Sequence, residues 1–426
     1  MICDTTAAMR EIAQACRQRY GFWLDSALVD PQWGRTSLYG EDPLLVLRSK
    51  GGTVEVAGRG GTSRHEASPF AVLRDLLREQ GRRSPQGGVV GYFAYELKQH
   101  VEELPQRAED DLALPDCYLC FYDRIVRYDP RLTAPPAAPA DGARVARPNM
   151  DGLRSTFTPD AYRRVVERAK RYIAAGDIYQ VNLSQRFAAP LRQDPFDLYL
   201  RLRQVNPAPF AAFLNLPEAQ VLSASPERFL HFDPTSRRVQ TRPIKGTRPR
   251  GGTPERDRAL SRELLSSEKD LAENVMIVDV ERNDLGRVAE IGSVRVPHLA
   301  ALERFATVFH LTSTVEARLR DGCDVVELLL ATFPSGSITG APKIRAMEII
   351  DELEPTARSV YTGAIGYIGF DGSLDLNIAI RTILVKGDTA YFQAGGGIVA
   401  DSDPELEYQE TLDKASALAR AVLAEG

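Results

Sequence analysis

The chain has 426 residues, 43% hydrophobic and 26% charged, the composition of an ordinary globular protein with a large core. Its 53 basic against 58 acidic residues give a net charge of −5, which argues against bulk attraction to nucleic acid or to an anionic membrane. No apolar run approaches the ~20 residues that span a bilayer, and MICDTTAAMREIAQACRQRY lacks a signal-type apolar core, so a cytoplasmic address is expected.

The first ~130 residues read as strands and turns with one or two helices. PFAVLRDLLREQG (69–81) is a helix with leucines on one face and Gly81 as its stop, and GGVVGYFAYE (87–96) is a buried strand. Cys117 and Cys120 form one CxxC with no second pair and no nearby histidine, which fits a buried, reduced pair better than a metal site. RLTAPPAAPADGARVARPN (131–149) is too rich in Pro, Ala and Gly to bury much surface and reads as a linker, dividing residues 1–150 from 151–426. Thr158 and Pro159 then open a helix as N-cap and first-turn proline, and Gly176 closes it. IYQVNLSQRF (178–187) alternates as a strand does, with Tyr179, Val181 and Leu183 on one side. Strands and helices mix beyond this point without strict alternation, which favours an α+β fold.

Two acidic helices follow. SSEKDLAENVMIVDVERNDLGR (266–287) carries Asp270 and Glu273 on one face. The last helix opens with Ser402 as cap, Pro404 in the first turn and Glu405 completing a capping box, and presents Glu407, Glu410 and Lys414 on one face. Carboxylates from two helices suit a hard divalent ion such as Mg²⁺, although the same spacing describes solvated helix faces. Among glycine-rich segments, PSGSITGAPK (334–343) lacks the GK[ST] of a phosphate loop, and DGSLDLN (371–377) reads as a hairpin turn. QAGGGIV (393–399) places three glycines after a strand, either for close approach to an anion or for a tight turn.

Together these segments resemble the chorismate-utilising enzymes, in particular the aminodeoxychorismate synthase component I and anthranilate synthase component I families. The resemblance rests on GDIYQVNLSQRF, SASPERF, TRPIKGTRPR, KDLAENVMIVDVERNDLGRV, FPSGSITGAPKIRAMEIIDELEP, YTGAIGY and QAGGGIVADSDPELEYQETLDKA, in that order, over roughly residues 155–420. The N-terminal third matches less sharply, through WLDSALVDPQWGRTSLYGEDP and GGVVGYFAYEL. The resemblance implies one large unit of two antiparallel sheets packed face to face with helices outside, rather than the two or three domains that length alone suggests.

By the same resemblance, Glu273 and Glu410, with Glu407 beside them, hold Mg²⁺ for the ring carboxylate of chorismate, and Lys414 lies close by. Glu227 matches the general acid for the departing C4 hydroxyl, which requires a pKa raised toward neutrality. Arg381, Tyr361 and the amides of Gly395, Gly396 and Gly397 match the holders of the second carboxylate. His310, counted with the catalytic groups, Thr339 and Gly340 line the ring. Gln180 stands where water-adding relatives carry a lysine base, which favours ammonia as nucleophile. Lys245 stands where anthranilate-forming relatives read PIAGT. In PIKGT-type relatives this lysine attacks C2, so its amine must be neutral, helped by Arg242 and Arg248. Ser26, in Trp23-Leu24-Asp25-Ser26, falls at a possible tryptophan pocket. No glutamine amidotransferase motif is present, so ammonia is expected from a separate subunit. The resemblance thus implies formation of 4-amino-4-deoxychorismate for p-aminobenzoate and folate synthesis. The alternatives are anthranilate release and a silent regulatory subunit.

Overall fold

The computed structural model describes residues 5–29, 36–84, 86–135, 148–304 and 308–424. Two antiparallel sheets form its centre, one of ten strands and one of twelve. The ten-stranded sheet runs from the edge strand Gly340–Ala341 through Gln180–Pro190, Thr389–Ile398, Thr382–Lys386, Gln220–Ser225, Phe210–Asn215, Phe22–Asp25 and Ser37–Gly40 to Val126–Tyr128. The twelve-stranded sheet starts at the edge strand Ile244–Pro249, beside Val308–Arg318, and ends at Gly61–Glu66. Strands that precede residue 130 lie in both sheets.

Period-two alternation explains the layers. Val90, Tyr92, Tyr118 and Cys120 share a buried cluster with Phe22, Leu38, Ala212, Leu214 and Val221 of the other sheet, so this cluster is the seam between the sheets. Their alternates Val89, Phe93, Cys117 and Leu119 face helices Pro69–Arg83, Pro159–Ala174 and Lys343–Leu353 instead. Trp23, Phe213, Leu222 and Phe392 of the first sheet meet helices Pro195–Val205 and Pro404–Leu423. The architecture is the expected α+β sandwich, with helices outside.

Cys117 and Cys120 are buried free thiols, as read from their isolation in the sequence. An offset of three along a strand sends their sulfurs to opposite faces, so they cannot share an ion. Burial pushes both thiols up to about 12.

Several local expectations hold. Thr158 caps its helix, accepting from the Ala161 amide at 3.2 Å, and Gly176 follows the end with φ of 82°. The start of the 371–377 segment is a hairpin turn, with the Ser373 amide donating to Asp371 at 2.9 Å, and its remainder already belongs to the strand Leu374–Ile378. Others are corrected. Gly81 does not stop its helix, which continues to Arg83. A Cβ there would sit 3.0 Å from the Phe370 carbonyl oxygen, so the glycine serves packing. The last helix is capped by Asp403, which accepts from the Glu405 and Leu406 amides, while Glu405 pairs with Arg163. Ser402 instead donates to Glu407 at 2.6 Å. The three glycines of QAGGGIV lie inside the Thr389–Ile398 strand, not after it. Tyr179 precedes its strand, which starts at Gln180, and is 72% exposed. The central part of the 131–149 linker, residues 136–147, lies outside the described residues.

Candidate active site

The edge strands of the two sheets bring the lysine loop and the PSGSITGAPK segment together. Ile244–Pro249 pairs with Val308–Arg318, and the register slips between Lys245 and Thr247. Gly246 sits in that bulge at φ of 80°, a conformation that favours glycine. From this bulge the half-buried Lys245 Nζ donates to the Ser337 carbonyl at 2.8 Å. Ser337 is itself held by its neighbours. The buried Glu281 accepts from Ser335 Oγ at 2.7 Å and from the Gly336 amide at 3.1 Å.

Glu227 is 4% exposed, and its Oε1 accepts from the Ile244 amide at 3.3 Å. Burial lifts its pKa to about 7, against the opposing pull of Lys245 and a hydrogen bond from Ser337. Lys245 moves the other way. Burial lowers its pKa, resisted by Glu273 and Glu227 and assisted by the positive charge of Lys414. The two groups thus shift toward one another, the carboxyl upward and the amine downward, which favours a protonated acid and biases the amine toward its neutral form. Arg242 and Arg248 do not supply the depression read from the sequence. They are neutralised by Glu303 and by Glu263 and Asp270, so the working charge is Lys414, far along the chain. Asp270, whose charge still reaches Glu273, holds Arg248 at 3.1 Å.

His310 lies opposite Thr247, with Nδ1 2.8 Å from the threonine hydroxyl. Burial and then Arg381 lower its pKa to about 4, so the ring is neutral at physiological pH. Arg381 reaches the Lys414 carbonyl from a left-handed backbone conformation, φ 52°. Tyr361 is buried, and its hydroxyl is pushed up to about 12 chiefly by desolvation. Thr339 is fully buried, its hydroxyl donating back to the Ser335 carbonyl at 3.1 Å. Gly340 pairs with Val181, and a Cβ there would lie 2.2 Å from the Gln180 carbonyl oxygen.

The three consecutive glycines have separate jobs. A Cβ on Gly395 would strike the Leu183 carbonyl at 2.3 Å, and one on Gly397 would meet Gln180 Nε2 at 2.2 Å. A Cβ on Gly396 would lie 3.1 Å from Glu407 Oε2 and 3.5 Å from Glu410 Oε1. Two carboxylates of the last helix therefore stand over one bare stretch of strand. Gln180 is 1% exposed, and its Oε1 has no partner among the described residues.

Lysines stand among the carboxylates. Lys269 lies 4.0 Å from Glu273 and 3.6 Å from Glu407, and Lys414 is 2.6 Å from Glu410 and donates to the Gly395 carbonyl at 2.9 Å. Glu407 Oε2 is buried without a hydrogen-bond partner. Burial raises the pKa of Glu273 and Glu407, whereas Lys414 lowers that of Glu410. The all-oxygen donor set and the unpartnered Glu407 oxygen fit a hard divalent cation. Among the described residues, no three such side chains are yet drawn together around one point.

Sequence reading missed Lys269, Ser337 and Glu281. Lys269 was within reach as the i−4 neighbour of Glu273, whereas the Ser337 contact uses a carbonyl that no motif encodes. Ser26 is placed by hydrogen bonds to the Thr36 carbonyl and the Ser37 hydroxyl. Beside it Trp23 is fully buried, its Nε1 donating to Tyr128 at 2.8 Å and Arg203 stacked on the ring at 4.6 Å. Lys343, the one lysine of PSGSITGAPK, pairs with Asp284 and donates to the Pro334 carbonyl at 2.9 Å, consistent with that segment not being a phosphate loop.

The model of the chorismate binding enzymes matches residues 28–420. The chain belongs to that family. It is 46% identical over 425 residues to aminodeoxychorismate synthase component 1 of Klebsiella aerogenes, spanning 93% of this chain and 92% of that protein. It is 42% identical over 416 residues to anthranilate synthase component 1 of Thermus thermophilus, spanning 91% and 89%. The crystal structure of anthranilate synthase component I from Streptococcus pneumoniae TIGR4 superposes with a TM-score of 0.78 at 34% identity, covering 92% of this chain and 93% of that one. This is an enzyme chain whose substrate class is chorismate. Among its described residues, no helix is long and apolar enough to cross a membrane.

Proposed function

We propose that this chain converts chorismate and ammonia to 4-amino-4-deoxychorismate and water, with Lys245 as a transient nucleophile. The observation that carries the reading is the opposed pair at the bulge. Lys245, its amine pushed toward the neutral form, and Glu227, its carboxyl held near neutrality, share the Ser337 segment as anchor. Lys245 Nζ bonds to C2, electrons shift through the ring diene, and the C4–O bond breaks. Glu227 gives its proton to the leaving oxygen, so water departs, and the attacking nitrogen stays on C2 as a secondary ammonium. Ammonia then bonds to C4 and the C2–Nζ bond breaks, which returns Lys245 to its free form. The proton gained with ammonia goes back to the Glu227 carboxylate.

Glu273, Glu407 and Glu410 would hold Mg²⁺, which when bound neutralises the ring carboxylate and withdraws electron density from the ring. Lys269 and Lys414 keep these carboxylates charge-balanced beforehand. Arg381, neutral His310 and the Tyr361 hydroxyl orient the second carboxylate and the ring. Gln180 cannot take a proton, so water beside it is not activated. Ammonia needs no such base. Its source in this reading is a separate glutamine amidotransferase subunit, in keeping with the component 1 naming of relatives.

The second reading, release of anthranilate and pyruvate, is favoured by the comparable identity to anthranilate synthase component 1 proteins. Incubation with chorismate, Mg²⁺ and ammonium, followed by product mass with and without an aminodeoxychorismate lyase, separates the two. The first reading requires an aminated product that yields p-aminobenzoate only with the lyase. Direct release of anthranilate would replace it with the second.

A further inference from the structure

A cavity of about 310 Å³ opens beside the Arg358–Glu354 ion pair. That size falls at the lower end of small-molecule sites. Its wall is the short helix Tyr95–His100, facing the segment Ile350–Arg358. Most charges around it are matched. Lys50 pairs with Asp110 at 2.5 Å and Asp116 at 2.8 Å. Arg358 gives Nε and Nη2 to the two oxygens of Glu354 at 2.8 Å and 2.7 Å.

Three groups on this wall are not matched. Lys98 is 3% exposed, yet among the described residues its ammonium has no hydrogen bond or ion pair and only overlies the Tyr95 ring at 4.9 Å. Tyr95 is 2% exposed, and its hydroxyl is buried without a partner. Glu96 accepts from the Arg358 amide at 3.0 Å through Oε1, while its Oε2 is buried and unpartnered. Buried polar groups left this way are costly, and native folds leave few of them. Lys98 and Glu96 could have quenched each other. They line the same cavity and form no ion pair.

We propose that this cavity binds a small α-amino acid as a zwitterion, its carboxylate on Lys98 and the Tyr95 hydroxyl and its ammonium on Glu96 Oε2. A simple anion would leave Glu96 unmatched, and a simple cation would leave Lys98 unmatched. A zwitterion satisfies both at once. Burial, opposed mainly by Lys98, holds the Glu96 carboxyl up at about 7, so an arriving ammonium displaces a proton near neutral pH.

The test is isothermal calorimetry on the full chain with glycine, L-serine, L-glutamine and L-tryptophan, and with acetate and methylammonium as half-ligands. At least one amino acid binds, and each half-ligand binds at least about tenfold more weakly. Lys98→Met and Glu96→Gln each weaken that amino acid by about tenfold or more, Lys98→Arg retains it, and Ser26→Ala leaves it unchanged. Circular dichroism checks that each variant folds, and Lys98→Arg separates lost charge from lost structure. Absence of heat for every amino acid up to about 10 mM would overturn the proposal. So would binding that survives both charge-removing variants, or binding lost only in Ser26→Ala.

Discussion

Replacing Glu227 by glutamine should strengthen the fold in alkaline solution while abolishing most of the activity. The carboxyl lies in a site that raises its pKa from 4.5 to about 7 by burial. A carboxyl whose folded pKa exceeds its unfolded value favours the fold below the unfolded pKa, and that contribution is lost as pH rises toward the folded one. The loss amounts to ~3 kcal/mol by pH 8, of which under about 1 kcal/mol has occurred by pH 5. Glutamine has nearly the same shape and does not ionise, so this site adds no pH dependence to the variant. The stability of Glu227→Gln relative to wild type should therefore be more favourable at pH 8 than at pH 5 by ~2–3 kcal/mol. Urea midpoints at the two pH values measure it, since constant offsets from altered packing cancel in the comparison. Turnover at neutral pH should fall by about 10²–10⁴, as expected when a general acid is removed. A variant with the same stability difference at both pH values would show that Glu227 ionises freely, and the acid role would lose its physical basis.

Other outcomes follow from the same geometry. With free ammonia held constant, turnover should be bell-shaped in pH, falling on the acid side as Lys245 is protonated and on the alkaline side as Glu227 ionises around its value of about 7. A flat profile would remove both assignments. Arg358→Met leaves Glu354 buried and unpaired and frees the Ile338 and Asn182 carbonyls, so it should cost ~3–5 kcal/mol by urea unfolding, against under about 1 kcal/mol for a surface pair. Gly397→Ala pushes the Gln180 side chain aside, since the new methyl would lie 2.2 Å from Nε2. It should cost ~1–3 kcal/mol and raise the KM for chorismate, and unchanged kinetics would show that the Gln180 position is not used.

Much of the architecture was legible because it depends on local chemistry. Thr158-Pro159 opens a helix wherever it occurs ahead of a periodic stripe, and the continuous apolar run of GGVVGYFAYE announces a buried strand. The failures came where tertiary contact overrode a local rule. Gly81 looked like a stop but exists to admit the Phe370 carbonyl, and Ser402 looked like a cap but was drawn off by Glu407. The site divided along the same line. Its titratable side chains could be named from motifs, yet the charge that depresses Lys245 comes from Lys414 rather than from the adjacent arginines. Sequence adjacency says nothing about which cations are already neutralised. Ser337 was invisible for a further reason, because its contact with Lys245 is made by the backbone.

The central claim is that Lys245 bonds to the ring. It is tested most directly by mixing the full chain with chorismate and Mg²⁺ without ammonia, quenching in acid, and mapping peptides by mass. The account predicts an adduct of chorismate less one water on Lys245, which vanishes when ammonium is added and never forms in Lys245→Ala. Amination that proceeds at wild-type rate in Lys245→Ala, or an adduct found only on another residue, would contradict it.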